Sequence, residues 1–160
     1  SDTQFIDLEG NIRPYKMGVH QHTPEMEQEL RAISGSDVRI LFVPNVAGFS
    51  YGIISTIYLS LRKELSDERL YQLYFNFYKG KPFVRVYKPG SIPQIKNVVG
   101  SNFCDIGVKY DRRTARCIII SVIDNTIKGA SGLAIQNMNI MMGFKETKGF
   151  SSFNLRGQRS

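Results

Sequence analysis

Residues 103–124 read FCDIGVKYDRRTARCIIISVID, and the expected fold follows from how this stretch is organised. Two apolar runs, residues 103–110 and 116–124, flank the polar tetrapeptide DRRT. Runs of this length, rich in β-branched residues and joined by a short polar link, are typical of two antiparallel strands and their connecting loop. The stretch therefore predicts a β-hairpin.

Segments on the N-terminal side of the hairpin predict further strands and two helices. The first helix has a start signal, because Thr23 can cap it and Pro24 suits its first position, and Gly35 suits its end. Ser66 can cap the second helix in the same way. In chain order the predicted elements are a strand near residues 13–19, a helix over 23–35, a strand in DVRILFVP (37–44), a strand in GIISTIYLSLR (52–62) that is buried on at least one face, a helix over 66–80 and a strand in PFVRVY (82–87).

The C-terminal side of the hairpin carries the glycine-punctuated segment KGASGLAIQNMNIMMGF, residues 128–144. It predicts a loop that runs into a helix from about Gly132 to Met142, with methionines 138, 141 and 142 filling the core. The order β-α-β-β-α-β-β-β-α predicts an α+β fold, with a mixed, largely antiparallel sheet and helices packed on one face. No repeat or composition break is present, so residues 1–160 are expected to form a single domain.

The composition is that of an ordinary globular chain, with 42% hydrophobic residues among 160 and a net charge of +7. No run approaches the roughly 20 apolar residues that cross a bilayer, and no signal peptide is recognisable, so no membrane partner is expected. Cys104 and Cys117 lie in apolar runs, as free buried cysteines do, which favours a reducing, cytoplasmic location. Basic residues are scattered through LRKE (61–64), YDRRTAR (110–116) and the tail LRGQRS (155–160), so no nucleic-acid partner is expected.

Residues 20–27, HQHTPEME, contain both histidines of the chain. On an extended segment His20 and His22 point to the same side, and Glu25 lies at the start of the following helix. Three interpretations are open: a zinc site, an acid/base group that works near neutral pH, or a surface pair beside a capped helix. The spacing is not a strong zinc pattern and no further histidine is present, so no metal is predicted.

Residues 127–139, IKGASGLAIQNMN, place glycines directly before a helix. Such a loop can leave backbone N–H groups free to meet an anion at the positive helix end, with Lys128 adding charge. The segment has neither the Walker nor the dinucleotide-binding spacing. Close packing around a capped helix is the commoner reason for glycines in this position.

Six separated segments, taken together, are similar to one enzyme family. They are HQHTPEMEQEL, GIISTIYL, PFVRV, VVGSNFCDIGV, IIISVIDNTIKGASGLAIQNMNIMMGF and ETKGF, and they run in order through residues 11–150. The chain resembles the catalytic domain of the N-acetyl-gamma-glutamyl-phosphate reductase family. The fold implied by this resemblance is that of the C-terminal domain of glyceraldehyde-3-phosphate dehydrogenase.

The resemblance implies an NADPH-dependent oxidoreductase that converts N-acetyl-gamma-glutamyl phosphate to the semialdehyde and phosphate in arginine biosynthesis. It implies a two-domain enzyme in which residues 1–160 are the catalytic and dimerisation half, and in which the Rossmann domain is absent from this chain. A homo-oligomer, dimer or tetramer, is expected. Related reductases that act on aminoadipyl phosphate in lysine biosynthesis share these motifs, and a non-catalytic metal- or nucleic-acid-binding module is the alternative from another class.

The resemblance also implies roles for particular residues. His22 is the expected acid/base group, with Glu25 orienting it and His20 helping to bind or polarise the acyl-phosphate substrate. The glycine-rich segment is expected near the nicotinamide side of the cofactor, and its expected cofactor-binding residues are Gly129, Ala130, Ser131, Gly132 and Asn137.

Some features of the family are not found in this sequence. The nucleophilic cysteine of the family lies in a GCYPT-like motif that these residues lack, and Cys104 matches a family cysteine that is not the nucleophile, so this chain alone is expected to be inactive. Asn45 and Tyr51 stand where many members have a histidine and an arginine, and Leu133 replaces a glutamine. A substrate role of the family's arginine is therefore not carried over to Tyr51, and a polar contact like that of the family's glutamine is not expected from Leu133.

Overall fold

The structure is a computed structural model that describes residues 10–150. The N-terminal residues 1–9, searched above for a signal peptide, and the basic tail 155–160 lie outside this range. The chain divides into two compact units, Ser1–Ser50 and Tyr51–Ser160, and each has its own sheet. That the chain forms a single domain therefore stays a prediction.

The helices and strands follow the predicted order. They are β1 (Ile12–Pro14), α1 (His22–Ser34), β2 (Asn45–Ala47), β3 (Ile53–Ser60), α2 (Asp67–Tyr78), β4 (Val84–Val86), β5 (Cys104–Asp111), β6 (Arg116–Ile123) and α3 (Gly132–Met141). A short 3-10 turn, Ile95–Asn97, precedes β5, and a π-helical turn, Ile127–Ser131, precedes α3. None of the helices described between residues 10 and 150 is long and apolar enough to cross a membrane.

The first unit is built from α1 and a two-stranded antiparallel sheet of β1 and β2. α1 ends as predicted, since Gly35 adopts the left-handed conformation (φ 67°), which a residue without a Cβ tolerates best. The predicted strand over residues 37–44 is wrong. β1 pairs with β2, which begins only at Asn45. Within the predicted strand, the Ile40 N–H donates to the Glu27 carboxylate of α1 (3.1 Å) and not to a neighbouring strand.

The second unit contains a four-stranded sheet in the order β3-β6-β5-β4. β5 and β6 form the predicted hairpin, pairing antiparallel from Cys104 opposite Ile123 to Asp111 opposite Arg116. β3 pairs antiparallel with the other edge of β6, and β4 pairs parallel with β5. The sheet is mixed and largely antiparallel, so the predicted α+β fold class is confirmed.

α2 covers part of one face of this sheet. Ser66 caps the helix as predicted, because its side chain accepts the N–H of Arg69 (3.1 Å). α2 contacts β4 and β5, and Leu70 of the helix packs with Ile119 of the sheet in a buried apolar cluster. A second buried cluster, on the other face, consists of Val98, Phe103 and Val122.

β3 is an edge strand, and the prediction that one of its faces is buried is wrong. All eight of its residues are exposed, including Ile57 on one face and Tyr58, 68% exposed, on the other. Because α2 lies over β4 and β5, no described element of the second unit covers β3. Methionines 138, 141 and 142 do not fill the core either, since all three are exposed.

A buried ion pair joins β4 to β5. Asp105 is fully buried, and its two carboxylate oxygens accept hydrogen bonds from Nε and Nη2 of Arg85 at 2.5 and 2.7 Å. Tyr87 donates to the same carboxylate (2.9 Å), and the Arg85 guanidinium lies over the Phe103 ring at 4.1 Å. This pair fixes the parallel edge of the sheet, where Arg85 is opposite Asp105.

Replacing Asp105 with Ala is expected to destabilise the second unit by about 3–5 kcal/mol, because it leaves the Arg85 guanidinium without its buried counter-charge. Urea unfolding of the chain measures the loss. The matched control is Glu64→Ala, which breaks an exposed ion pair with Arg112 (3.1 Å) and should cost less than about 1 kcal/mol. Equal losses in the two variants would contradict the role given to Asp105.

Candidate functional site

His20 lies just after a turn in the first unit. The chain turns at Lys16 (φ 46°), so the strand predicted over residues 13–19 ends early. The imidazole of His20 is buried and makes edge contacts with Tyr15 and Phe42, whose ring centroids lie 5.4 and 5.3 Å away. These two aromatic side chains hold the imidazole in one orientation.

α1 begins at His22, one residue before the predicted cap, and Thr23 does not cap it. Thr23 Oγ1 is buried and has no hydrogen-bond partner among the described residues. The His22 N–H donates to Nδ1 of the His20 ring (3.1 Å), and the Thr23 N–H donates to the His20 carbonyl (3.0 Å). His20 therefore takes the capping role that the sequence pattern assigned to Thr23.

His22 and Glu25 both lie on the first turn of α1. The His22 side chain is exposed, and its ring centroid is 4.6 Å from that of His20, so the structure brings the two predicted site histidines together. Glu25 is also exposed, and in the described range no hydrogen bond joins its carboxylate to either ring. That Glu25 orients His22 stays a prediction.

The surroundings of the histidine pair suit proton transfer. Burial lowers the pKa of His20, the electrostatic effects of the neighbouring His22 and Lys16 lower it further, and the Glu25 carboxylate acts in the opposite direction. The His20 ring is therefore neutral near pH 7 and keeps one nitrogen as an acceptor. Between residues 10 and 150, no three His, Cys, Asp or Glu side chains are grouped so that they could hold a metal ion.

The glycine-rich segment in the second unit is a π-helical turn continuous with α3, and not an open loop. The Gly129 N–H donates to the Asp124 carbonyl (2.9 Å), and the Ser131 N–H donates to the Thr126 carbonyl (3.1 Å). The alternative in which these two N–H groups are free to meet an anion is not found, because each donates to a carbonyl five residues back.

Gly132 allows a close approach between the segment and a buried amide. A Cβ at this position would collide with the side chain of Asn102 and with Ile127. Asn102 Nδ2 donates to Gln136 Oε1 (3.1 Å), whereas its buried Oδ1 has no partner among the described residues. Lys128 also donates to Gln136 Oε1 (2.7 Å), so its ammonium is already bound within the chain.

The predicted cofactor-binding residues form a small-residue surface. Gly129, Ala130, Ser131 and Asn137 are exposed, whereas Gly132 is buried. The N–H groups of Gly129 and Ser131 are already bonded within the segment, so they are not available to a bound anion. The Asn137 amide makes no hydrogen bond to a described residue, so it is available to a polar group from outside the segment.

Asp124 organises the entry to the glycine-rich segment, and sequence reasoning missed it. Its buried carboxylate accepts hydrogen bonds from the Gly100 N–H (2.8 Å), the Thr126 N–H and hydroxyl, and the Ile127 N–H. Burial alone raises the pKa of Asp124, but these hydrogen bonds outweigh it and hold the pKa below its usual value. The sequence feature that could have revealed this role is the Asp-x-Thr pattern at residues 124–126, which favours a local turn of this kind.

Both cysteines are built into the sheet. Cys104 Sγ lies 3.4 Å from Ser121 Oγ, and Cys117 is fully buried. Burial raises the pKa of both thiols. A raised pKa keeps a thiol protonated near neutral pH, so neither side chain is suited to act as a thiolate nucleophile.

Sequence comparison identifies the class of protein to which this fold and these residues belong. The family described as "Semialdehyde dehydrogenase, dimerisation domain" matches residues 1–125, well over half of the chain. The matched residues include both histidines and the whole four-stranded sheet, and they end before α3. The chain belongs to this family.

Two individual relatives have much higher identity to this chain and carry the same name. The chain is 46% identical over 149 residues to the N-acetyl-gamma-glutamyl-phosphate reductase of Pelotomaculum thermopropionicum, covering 93% of this chain and 43% of the relative. It is 51% identical over 152 residues to the Geobacter metallireducens protein of the same name, covering 94% and 44%. The chain thus spans less than half the length of these curated relatives.

Solved structures share the fold at much lower identity. The aspartate semialdehyde dehydrogenase II of Vibrio cholerae superposes with a TM-score of 0.65 at 16% identity, covering 84% of this chain and 41% of that one. The aspartate semialdehyde dehydrogenase of Francisella tularensis gives 0.64 at 17% identity, covering 84% and 40%. These structures support the fold that the sequence resemblance implied.

Replacing Gly132 with Ala is expected to destabilise the chain by about 1–3 kcal/mol, because the added methyl overpacks the contact with Asn102 and Ile127. The control is Gly129→Ala in the same turn, where the new Cβ would meet atoms no closer than 3.6 Å. That control should change stability by less than about 1 kcal/mol. Thermal unfolding compares the two variants, and a Gly132→Ala protein as stable as the control would rule out the close approach.

Proposed function

We propose that this chain is the catalytic and dimerisation part of an NADPH-dependent N-acetyl-gamma-glutamyl-phosphate reductase. The observation that carries the proposal is the identity of 46% and 51% to proteins of that name across 93% and 94% of the chain. The complete reductase joins these residues to a cofactor-binding domain, which accounts for the larger size of the relatives.

His22 is the proton-transfer residue of this proposal. In the reaction, a cysteine thiolate attacks the acyl phosphate, phosphate leaves, and a thioester forms. NADPH, when bound, supplies the hydride that reduces this thioester. His22 donates a proton to the resulting oxyanion and takes it back when the hemithioacetal collapses to the aldehyde and the thiolate. Its exposed ring on the first turn of α1 supports this role, because it is accessible to a substrate.

The neighbours of His22 have supporting roles. Glu25 adds negative charge near the imidazole pair, which favours the protonated ring during the reaction. His20 can reach a substrate only through Nε2, because Nδ1 already accepts the His22 N–H. The substrate role proposed for His20 therefore depends on one ring nitrogen.

The nucleophile of this reaction belongs to the part of the reductase outside residues 1–160. Cys104 and Cys117 are the two cysteines of the chain, and burial raises the pKa of both. The exposed surface of Gly129, Ala130 and Ser131 is proposed to lie against the nicotinamide ring, with the Asn137 amide beside it.

A second copy of the chain is the proposed partner of β3. The family carries the description of a dimerisation domain, and its match includes the whole of β3. Apolar residues on both faces of this edge strand are exposed, among them Ile53, Ile57 and Tyr58. An exposed apolar strand of this kind is typical of an interface, so the homo-oligomer is proposed to form through it.

In the complete reductase, replacing His22 with Asn should lower kcat on the order of 10²-fold, since Asn cannot transfer a proton. The assay follows NADPH oxidation with N-acetyl-gamma-glutamyl phosphate and, in parallel, with the aminoadipyl homologue. Gln21→Asn is the control, because Gln21 is adjacent and its side chain makes no capping hydrogen bond. Unchanged kcat in the His22 variant would remove His22 from the mechanism, and turnover of the longer substrate alone would reassign the substrate.

The double variant Ile57→Lys and Tyr58→Lys should dissociate the oligomer, because it places one charge on each face of β3. Sedimentation velocity measures the mass in solution. The control, Leu73→Lys and Phe77→Lys, alters two residues of α2 that are also exposed, at 45% and 76%. If the β3 variant keeps the wild-type mass while the α2 variant dissociates, the interface lies elsewhere.

A further inference from the structure

The start of α1 leaves few backbone donors to satisfy. The first N–H groups of a helix have no partner within the helix and must find one elsewhere. Pro24 has no N–H, and Gln21, the residue before the helix, offers no side-chain cap. His22 and Thr23 lie between Gln21 and Pro24, and the backbone N–H groups of both donate to His20.

His20 accepts these two hydrogen bonds with different groups. The ring Nδ1 takes the His22 N–H at 3.1 Å, and the carbonyl takes the Thr23 N–H at 3.0 Å. An imidazole nitrogen that accepts an N–H carries no proton, so the proton of the neutral ring is on Nε2. One side chain thus serves as the helix cap, and the cap defines its tautomer.

The protein holds the ring in this state. The rings of Tyr15 and Phe42 contact the imidazole by their edges, and the residue is only 6% exposed. The charged or titratable neighbours that act on its pKa are His22 and Lys16, which lower it in addition to burial, and Glu25, which raises it. Protonation at Nδ1 would break the capping hydrogen bond, so burial and capping favour the same neutral form.

We propose that His20 is a positioning residue, which fixes the backbone of His22 through Nδ1 and thereby sets the direction in which the His22 ring is presented. The ring contact between the two histidines, with centroids 4.6 Å apart, restricts His22 from a second side. The consequence for turnover rests on the proposed reductase function, whereas the capping role and the tautomer do not.

Two substitutions separate the ring nitrogens of His20. His20→Asn places an amide oxygen close to the position of Nδ1 and can still accept the His22 N–H. His20→Gln places its polar group near the position of Nε2 and loses the cap. Both variants remove the imidazole ring, so faster amide exchange at His22 in His20→Gln than in His20→Asn reports on the cap.

The first measurement uses the 160-residue chain and NMR. In the wild-type protein near pH 7, long-range ¹H–¹⁵N correlations should show His20 protonated at Nε2 and unprotonated at Nδ1. Amide exchange at His22 should be roughly fivefold faster in His20→Gln and close to the wild-type rate in His20→Asn, as expected for loss or retention of one helix cap. A protonated Nδ1, or equal exchange in the two variants, overturns the proposal. The tautomer measurement decides even if a variant does not fold.

The second measurement uses the complete reductase. His20→Gln should lower kcat roughly tenfold more than His20→Asn, with similar KM values, because misdirection of His22 affects the chemical step. Equal kcat values in the two variants would overturn the positioning role. A complete protein with no reductase activity would contradict the proposed function, and the NMR result would still decide the role of His20.

Discussion

The antiparallel pairing of β5 with β6 is the constraint on which the rest of the second unit depends. Their register runs over eight residues of each strand, from Cys104 opposite Ile123 to Asp111 opposite Arg116. β3 adds to the free edge of β6, β4 adds to the free edge of β5, and α2 packs where β4 and β5 meet. The buried Arg85–Asp105 pair then fixes the parallel edge, where an uncompensated charge would be costly.

The same hairpin determines where the glycine-rich segment lies. β6 ends at Ile123, and Asp124 immediately turns the chain by accepting backbone and hydroxyl hydrogen bonds from the residues that follow. The π turn and α3 continue from this point. The surface of Gly129, Ala130 and Ser131 therefore follows directly from β6, one of the two central strands of the sheet, which gives a proposed cofactor contact a rigid support.

Local patterns made much of this fold predictable. The apolar runs around DRRT specified the hairpin, and the caps at Ser66 and Gly35 were read correctly because capping depends on nearby residues. The strand expected over residues 37–44 failed because pairing is a tertiary property, and the short β1 pairs with Asn45–Ala47 instead. Apolar content could not reveal that β3 and the α3 methionines stay exposed, since an apolar residue suits a core and an interface equally.

Part of the candidate site could be predicted from the sequence. The histidine pair was found from HQHTPEME, and the structure places the two rings in contact. That His20 replaces Thr23 as the cap could not be predicted, because the cap depends on a ring orientation set by Tyr15 and Phe42. The hydrogen bonds that the N–H groups of the glycine-rich segment make within the chain could not be predicted either, because π-helical hydrogen bonding has no simple sequence pattern.

The central proposal is that this chain supplies the proton-transfer histidine, His22, of an acyl-phosphate reductase, whereas the nucleophile and most of the cofactor site belong to another part of the enzyme. The most direct test compares NADPH oxidation by the isolated chain and by the complete reductase, at equal concentration and with N-acetyl-gamma-glutamyl phosphate as substrate. The account predicts turnover by the complete reductase and none by the isolated chain. Substrate-dependent NADPH oxidation by the isolated chain would contradict it.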